Sequence, residues 1–170
     1  MTERTLNLGC GTDMRGTHRI DFVKTNATTE IGDLNKPLPY KKNFFDVIIC
    51  RSVLEHILNL EIFVDEIYRV LKPGGKIILR TDNAAYLPFH LLKSHEHNKI
   101  IDEGRSYKHK SDEDNHYHLF VESHLRRLFR KFRNIRFNYF YGGRNALLRL
   151  VARLLPGKTG AFHIEMEAVK

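Results

Sequence analysis

Two glycines and an aspartate near the beginning of the chain have the spacing of a nucleotide-binding turn. Gly9 and Gly11 follow a short apolar stretch, and Asp21 comes ten residues after the second glycine. Because glycine has no Cβ, the backbone can turn sharply there and approach a ligand closely. A carboxylate at the end of the next strand can accept hydrogen bonds from both hydroxyls of a ribose. The pattern indicates a nucleotide cofactor, with an ordinary turn as the alternative.

A second group of chemically active side chains lies in residues 82–118. The segment holds six of the ten histidines, some of them in two His-x-His pairs. Imidazole nitrogens and carboxylate oxygens suit zinc or iron, so a metal site is one interpretation. We favour a polar lid over a substrate, without metal, because residues 93–116 show little apolar periodicity. If the reaction uses a catalytic base, the candidates here are Asp82, His90 and His118.

Composition limits the class of protein. The 170 residues suffice for one domain that buries about two-thirds of its unfolded surface. No apolar run approaches the roughly 20 residues of a membrane span, and no leader sequence is evident, so we expect a cytoplasmic protein. Cys10 and Cys50 are too few for a disulfide scaffold, and we expect both to be buried free thiols.

The net charge of +8 is concentrated in the second half of the chain. Residues 1–83 carry 12 basic and 11 acidic side chains, whereas residues 84–170 carry 16 and 9. An anionic substrate would be drawn to that half. Nucleic acid or a membrane surface is an alternative partner, but we favour a solvated helical face. The basic face consists of Arg126, Arg127, Arg130, Lys131 and Arg133.

Apolar strands and amphipathic helices alternate along the chain, which predicts an α/β, doubly wound sheet. Asn59 is a candidate N-cap for a helix whose apolar stripe runs from Leu60 to Leu71, and the Lys72-Pro-Gly-Gly75 turn ends it. The other predicted helices cover residues 125–132 and 147–155. The predicted strands cover residues 4–8, 18–22, 28–31, 45–50, 76–81, 135–141 and 162–169.

Five segments occur in an order that resembles the class I, Rossmann-like S-adenosylmethionine-dependent methyltransferases. They are LNLGCG, the acid Asp21, GDLNKPLP, FDVIICRSVLEH and RVLKPGG, and together they cover residues 5–81. The resemblance implies a mostly parallel seven-stranded sheet with an antiparallel last strand and helices on both faces. It also implies S-adenosyl-L-methionine as the cofactor.

The same resemblance implies one domain over residues 1–170. Residues 5–81 would form the cofactor-binding half and residues 82–118 the substrate lid. Residues 119–170 would form a helix, a strand, a second helix and a last strand, with the basic face on this part.

The resemblance also assigns roles to single residues. The backbone of Gly9, Cys10 and Gly11 would contact the methionine and ribose parts of the cofactor, and Asp21 the ribose hydroxyls. Asp33 would accept a hydrogen bond from the adenine amino group beside Leu34, unless it is an ordinary turn aspartate. The remaining assigned residues are Asn7, which stands where the family often has aspartate, Asp13 for the methionine ammonium, and Arg51 and Ser52 for the methionine end or the substrate.

Several features depart from the family pattern. Residues 12–19 and 22–28 are too short for the usual crossover helices, so helices should be sparse around the first three strands. We therefore expect exposed apolar surface on one side of the sheet, buried by a second copy of the chain or by another protein. Glu55 and His56 are expected to have structural roles, and a redox switch between Cys10 and Cys50 is not favoured.

The resemblance implies methyl transfer to an oxygen or nitrogen atom of an acceptor whose identity the sequence leaves open. Because the enzyme mainly aligns the reactants, a catalytic base is optional. The alternative function is a cofactor-binding but inactive partner subunit, suggested by the altered glycine turn and the short connections. A nicotinamide-dependent dehydrogenase is disfavoured, because the third glycine of its motif is missing.

Overall fold

The computed structural model of the chain describes residues 2–87, 116–141, 150, 152–155 and 158–170. Its central element is a seven-stranded sheet with the strand order β3-β2-β1-β4-β5-β7-β6. The strands are β1 (Thr5–Leu8), β2 (His18–Asp21), β3 (Glu30–Ile31), β4 (Phe45–Arg51), β5 (Leu71–Asp82), β6 (Arg133–Phe140) and β7 (His163–Val169).

The strand directions confirm the expected fold class. Strands β1 to β5 are mutually parallel, and β7 runs antiparallel to both β5 and β6. Strands β2 and β3 follow β1 on one side of the sheet, and β4 and β5 lie on its other side. Such a reversal of strand order opens a crevice at the carboxyl ends of the central strands, where ligands of α/β proteins bind.

One face of the sheet is covered by helices. A short 3-10 helix (Leu54–His56) follows β4, α1 (Leu60–Val70) precedes β5, and α2 (Glu122–Leu128) precedes β6. The predicted N-cap is confirmed, because the Asn59 side chain accepts a hydrogen bond of 3.2 Å from the backbone N of Ile62. Helix α1 buries Phe63, Val64, Ile67 and Val70. They pack in one cluster with Leu6, Leu8, Ile20, Ile48, Cys50, Ile77, Leu79, Ile164, Met166 and Ala168 from the strands.

The structure corrects two predicted element boundaries. Helix α1 ends at Val70, and Leu71 already belongs to β5, paired with Phe45 before a register shift. The Lys72-Pro-Gly-Gly75 segment is therefore an irregularity inside a strand, not a turn between helix and strand. Helix α2 ends at Leu128, although Phe132 still reaches the core. Of the helix predicted at 147–155, residues 150 and 152–154 are helical and the remainder falls mostly outside the described residues.

The other face of the sheet is shielded at β1 and β2 by chain connections. The link between these strands contains no helix, and its backbone lies against β1: the Thr17 N–H donates to the Thr5 carbonyl at 2.9 Å, and Asn7 Nδ2 donates to the Arg15 carbonyl at 3.3 Å. Asn7 is consequently buried. The expected scarcity of helices around the first three strands is confirmed for the described residues.

Exposed apolar side chains do occur in this region. They are Met14, Phe22, Val23 and Ile31, each about half exposed or more. Further along the same face, β5 and β7 present Lys76, Arg80, Glu165 and Glu167, which form ion pairs between the strands. Charged pairs of this kind suit a solvated sheet face. The covering partner therefore stays a prediction, and within the described ranges no helix has the length and apolarity to cross a bilayer.

Candidate cofactor-binding site

A cavity of about 420 Å³ opens where the carboxyl ends of β1 to β4 meet. Its volume falls within the roughly 300–1,000 Å³ that is common for small-molecule sites. Five of the residues predicted to bind the cofactor line it: Gly9, Asp21, Asp33, Leu34 and Ser52. The other lining residues are Phe22, Asn35, Val53, His56, Ile57, Leu58 and Tyr117.

The glycine turn forms one wall of the cavity. Gly9 has a positive φ of 62°, and its N–H donates to the Ile20 carbonyl at 2.9 Å. A Cβ at this position would collide with the side chain of Val53, which lines the cavity just after the end of β4. Gly9 is therefore required both by the backbone conformation and by the close approach of the two strand ends.

Asp21 is the acid most firmly held in the cavity. Its Oδ2 accepts a hydrogen bond from the Gly11 N–H at 2.7 Å, and its Oδ1 accepts one from the Val23 N–H at 3.0 Å. The residue is only 6% exposed. Because an ionised carboxylate has about four acceptor positions, each oxygen keeps capacity for a further donor. This geometry suits a pair of neighbouring hydroxyl groups.

Asp33 lines the cavity and also makes a local turn. Its Oδ1 accepts from the Asn35 N–H at 2.9 Å, and Lys36 lies 3.5 Å from Oδ2. The Asn35 hydrogen bond and the Lys36 charge lower the pKa of Asp33. The turn role and the cofactor role are compatible, since an ionised carboxylate accepts several hydrogen bonds.

The apolar lining includes residues that the sequence analysis missed. Phe22 follows Asp21 directly, and Ile57 and Leu58 follow the 3-10 helix. Phe22 is 51% exposed and Leu58 is 61% exposed. Together with Leu34 they offer the flat apolar surface that a nucleobase requires. The position of Phe22 immediately after the acid of β2 was the signal that could have identified it.

Arg51 and Ser52 are neighbours at the end of β4 that were both predicted to line the site, and the structure places their side chains apart. Ser52 has a φ of 52°, and its N–H donates to the Arg80 carbonyl at 2.9 Å. Ser52 lines the cavity, whereas the Arg51 guanidinium extends over the other sheet face, 3.3 Å from Glu165. Arg80 shares the same carboxylate at 2.9 Å. Arg51 is therefore not among the residues that line the cavity.

Asn7, Cys10 and Asp13 surround the glycine turn without lining the cavity. Asp13 is paired with Arg15, and that hydrogen bonding lowers the pKa of Asp13 to about 2. Cys10 is buried with its Sγ 3.9 Å from Thr28 Oγ1, and Cys50 is fully buried in β4. Both are free thiols as predicted, and burial raises the pKa of each. High thiol pKa values make these cysteines unreactive.

Glu55 and His56 have different environments. Glu55 is 3% exposed, accepts a hydrogen bond from Thr81 Oγ1 at 3.0 Å and receives the Tyr117 N–H on its backbone carbonyl at 2.7 Å. Burial raises the pKa of its carboxyl to about 7. His56 lines the cavity, and its ring meets that of His116 edge-on with centroids 4.5 Å apart. The expected structural role fits Glu55, whereas His56 faces the site.

Neither of the two candidate bases that the structure describes, Asp82 and His118, lines the cavity. Asp82 lies 3.3 Å from His163 on β7, and His118 lines a separate groove, where burial lowers its pKa. His90 and most of the predicted lid lie outside the described residues. In the parts of the chain that are described, no three histidine, cysteine or acidic side chains come together as a metal site.

The cavity residues fit a nucleoside-bearing cofactor. Asp21 offers unfilled carboxylate acceptor positions, Asp33 offers another carboxylate, and Phe22 and Leu34 offer apolar surface between them. The glycine turn supplies a backbone wall without side chains.

Comparisons with known proteins agree with this geometry. Residues 10–79 match the family model described as "Methyltransferase domain". The mitochondrial ubiquinone biosynthesis O-methyltransferase of Rattus norvegicus is 38% identical over 56 residues, which are 33% of this chain and 16% of that protein. The norajmaline N-methyltransferase of Rauvolfia serpentina is 32% identical over 66 residues, 38% of this chain and 22% of that protein. The matched stretches thus span less than a quarter of these curated relatives.

A solved structure extends the similarity to the whole fold. It is an S-adenosylmethionine-dependent methyltransferase and possible histamine N-methyltransferase from Thermotoga maritima. The superposition has a TM-score of 0.71 at 14% identity and covers 100% of this chain and 83% of the other. At that identity the likeness concerns the fold.

Proposed function

We propose that the chain is a class I S-adenosylmethionine-dependent methyltransferase that transfers a methyl group to an oxygen or nitrogen atom of an acceptor. The observation that carries the proposal is the Asp21 carboxylate. It is held by two backbone N–H groups at 2.7 and 3.0 Å in a cavity at the reversal of strand order. This is where a nucleoside cofactor binds in such sheets.

The cofactor-binding residues in this proposal are Gly9, Asp21, Phe22, Asp33 and Leu34. Asp21 accepts the ribose hydroxyls, and Asp33 accepts the adenine amino group. Phe22 and Leu34 pack against the base. When bound, S-adenosylmethionine supplies an electrophilic sulfonium methyl group for direct displacement.

His56 and Tyr117 form the acceptor side of the same cavity. Holding an acceptor in line with the methyl group can account for about 7–11 kcal/mol of the barrier. An acceptor hydroxyl or ammonium also has to lose a proton, and imidazole is the side chain that most often takes one up. We assign that role to His56, whose ring is oriented by His116. The proton passes from the acceptor to the His56 imidazole and then to solvent.

One observation favours a second candidate, the cofactor-binding but inactive subunit. Asp13, the carboxylate assigned to the methionine ammonium, is occupied by Arg15 and lies outside the cavity lining. A domain that binds the methionine part of the cofactor weakly could still bind the nucleoside part, and the bound cofactor would then stabilise the surface that a partner protein contacts.

Calorimetry with S-adenosylhomocysteine tests the shared premise. We expect saturable binding that Asp21→Asn weakens. A matched control is Asp46→Asn at the amino end of β4, away from the cavity, where Lys72 donates to Asp46 at 2.6 Å. Absence of binding by the natural chain would refute both candidates.

A transfer assay separates the two candidates. S-adenosylhomocysteine formation is measured with a panel of phenols, alcohols and amines as acceptors. For an acceptor that is turned over, His56→Asn should lower kcat by about 10²–10⁴-fold. The loss should shrink at higher pH as the acceptor itself ionises, which a purely structural defect would not produce. His18→Gln, near the amino end of the sheet, is the matched histidine control. Cofactor binding without turnover of any acceptor would favour the inactive subunit.

A further inference from the structure

A groove of about 310 Å³ lies between α1 and α2, separate from the cofactor cavity. Leu60 and Glu61 of α1 form one wall, and His124, Arg127 and Leu128 of α2 form the other. Arg130 stands just beyond α2 and His118 lies in the segment before it, and both also line the groove. Because the α2 residues are three and four positions apart, they share one face of the helix.

Two arginines of the basic face, Arg127 and Arg130, differ from its other cations in having no polar partner among the described residues. Arg126 is bound to Glu122 at 2.8 Å, and Lys131 is bound to Asp65 at 2.7 Å. Arg127 and Arg130 are exposed, and neither has an ion-pair partner among the residues that the structure describes. Arg133 also lacks an ion-pair partner among these residues, but its guanidinium donates to the Lys170 carbonyl at 3.3 Å. Of the basic face, Arg127 and Arg130 are the residues that line the groove.

His118 adds a third unsatisfied group. Its Nε2 is buried and has no hydrogen-bond partner within the described part of the chain. The ring also forms a hydrogen bond to the backbone of Ile57. A buried polar atom without a partner is costly, so an atom in this state is a candidate for a ligand contact.

We propose that this groove binds an oxyanion of the phosphate or sulfate type, carried by a small molecule. Planar guanidinium groups match the geometry of such anions with paired N–H donors. A protonated His118 would donate from Nε2 to the same anion. Leu60, Leu128 and Phe120 give the groove an apolar part for the body of the ligand. Glu61 lies on the α1 wall, so the positive charge of the groove is concentrated on the α2 side.

The groove adjoins the cofactor cavity through one short segment. Tyr117 and Ile57 line the cavity, while the neighbouring His118 lines the groove and bonds to the Ile57 backbone. The oxyanion can therefore be an anionic group of the methyl acceptor or a separate small phosphate compound. Both sources present the same chemistry to Arg127 and Arg130.

The test is a titration of the full chain with inorganic sulfate, in which NMR monitors the histidine side chains. A titration with chloride at equal ionic strength is the reference. Saturable shifts at His118 and His124 are expected. Arg127→Gln with Arg130→Gln should weaken sulfate binding at least tenfold. The matched control is Arg126→Gln, which lies on the same helix but is paired with Glu122 and should change the affinity less than twofold.

The pH dependence of sulfate binding provides a second readout, because sulfate keeps its charge between pH 5 and 8. The charged and titratable groups that share the groove with His118 are Glu61, His124, Arg127 and Arg130. Anion binding favours protonated His118, so the affinity should rise as the pH falls from 7 to 5. His118→Gln should reduce that rise while retaining binding to the arginines, and His118→Gln combined with His124→Gln should abolish it.

The two sources are distinguished in a transfer assay with S-adenosylmethionine as the methyl donor and an acceptor that is turned over. If the oxyanion belongs to the acceptor, inorganic phosphate inhibits transfer competitively against the acceptor. If it is a separate compound, phosphate binds without that competition. The binding measurement requires no turnover, so its failure is distinguishable from failure of the proposed methyl transfer.

Two results would overturn the proposal. One is sulfate binding no stronger than that of chloride. The other is an equal loss of affinity in Arg126→Gln and in the Arg127 and Arg130 variant, which would mean diffuse attraction to a basic surface. An RNA oligonucleotide serves as a further probe. If it bound with a steep salt dependence shared by all the arginine variants, a nucleic-acid surface would replace the small-molecule groove.

Discussion

The connections around β1 to β3 and those around β4, β5 and β7 are held in place by different interactions, although β1 and β2 share the apolar core with the other strands. Strands β4, β5 and β7 carry buried apolar residues that pack under α1 and α2. The connections around β1 to β3 contain no helix in the described residues and are fixed by polar contacts instead. Thr28 is an example, since its hydroxyl donates to the Val23 carbonyl and accepts from the Thr25 N–H, both at 3.1 Å.

The difference explains why the candidate site lies where it does. Apolar packing is strong and tolerates changes in the shape of single side chains. The apolar core under α1 and α2 is therefore the rigid frame of the molecule. Hydrogen bonds between side chains and backbone are directional, and they position Asp21 and the glycine turn individually. Changes in the frame should therefore affect stability, whereas changes around β1 to β3 should affect ligand binding.

The largest effect is expected in the frame. Phe63 on α1 is 2% exposed, so Phe63→Ala should lower the free energy of unfolding by about 3–5 kcal/mol. Urea unfolding measures the loss, and the affinity of the folded fraction for S-adenosylhomocysteine should stay unchanged. Ile62→Ala, one position away and 49% exposed, is the control with an effect below about 0.5 kcal/mol. Similar losses in both variants would contradict the packing account.

Glu55, which accepts a hydrogen bond from Thr81 of β5, makes stability depend on pH. Its pKa is raised to about 7 in the folded protein from an ordinary value of 4.5, so the folded state holds the proton more tightly. The associated stabilisation is present below pH 4.5 and is lost as the pH rises to about 7. Glu55→Gln should therefore be more stable than the natural chain at pH 8, by at most about 3 kcal/mol.

The advantage of Glu55→Gln should disappear near pH 4.5, where the natural carboxyl is also neutral. Urea unfolding at both pH values measures this. A difference that does not vary with pH would show that the carboxyl does not titrate in this range.

In the hydrogen-bonded region around β1 to β3, Asp21→Asn is expected to lower mainly the affinity for S-adenosylhomocysteine. It replaces one carboxylate oxygen with an amide group that cannot accept the hydrogen bond at that position. Losing hydrogen bonds to a charged acceptor costs about 1.5–3 kcal/mol, or roughly 10–150-fold in affinity for S-adenosylhomocysteine. Calorimetry gives the affinity, and a thermal melt gives the accompanying loss of stability. If stability fell sharply while affinity held, Asp21 would belong to the frame.

The smallest effect concerns the end of α1. Lys170 Nζ donates to the carbonyls of Tyr68 at 2.6 Å and Leu71 at 2.7 Å, where the helix dipole favours a positive charge. Lys170→Met should cost about 1 kcal/mol of unfolding free energy and leave cofactor affinity intact. Lys41→Met on the surface is the matched control. Equal melting temperatures for the two variants would argue against this capping role.

The frame could be predicted from the sequence because its signals are periodic. The stripe from Leu60 to Val70 and the Asn59 cap indicated α1 correctly, and the apolar run at 45–50 indicated β4. Leu71 was assigned to the helix because it continues the apolar stripe, although pairing with Phe45 draws it into β5. Phe132 was misassigned for a similar reason, since it reaches the core from beyond the end of α2.

The site could be predicted only in part. Gly9 and Asp21 have a recognisable spacing, but the direction of a side chain after a strand depends on single backbone angles. The positive φ of Ser52 is one such angle, and it separates Arg51 from the cavity. His56 was expected to be structural because, in related sequences, the Glu-His pair starts the loop into the next helix, where a satisfied, partly buried histidine is the commoner outcome. The ion pair between Asp13 and Arg15, only two residues apart, also occupies a predicted carboxylate, because the sequence alone does not show which nearby side chains will pair.

Strand β3 has only two residues, both exposed, and it forms the edge of the sheet. Backbone amides at such an edge are the first to exchange with solvent deuterium, because opening them disrupts few contacts. In the proposed binding mode, the adenine end of the cofactor contacts Asp33 and Leu34, which follow this strand. Binding of S-adenosylhomocysteine should therefore slow exchange most around residues 30–35 and hardly at all in β5. The rate of hydrogen exchange at this one sheet edge would then report whether the ligand is bound, while exchange in the rest of the molecule stays the same.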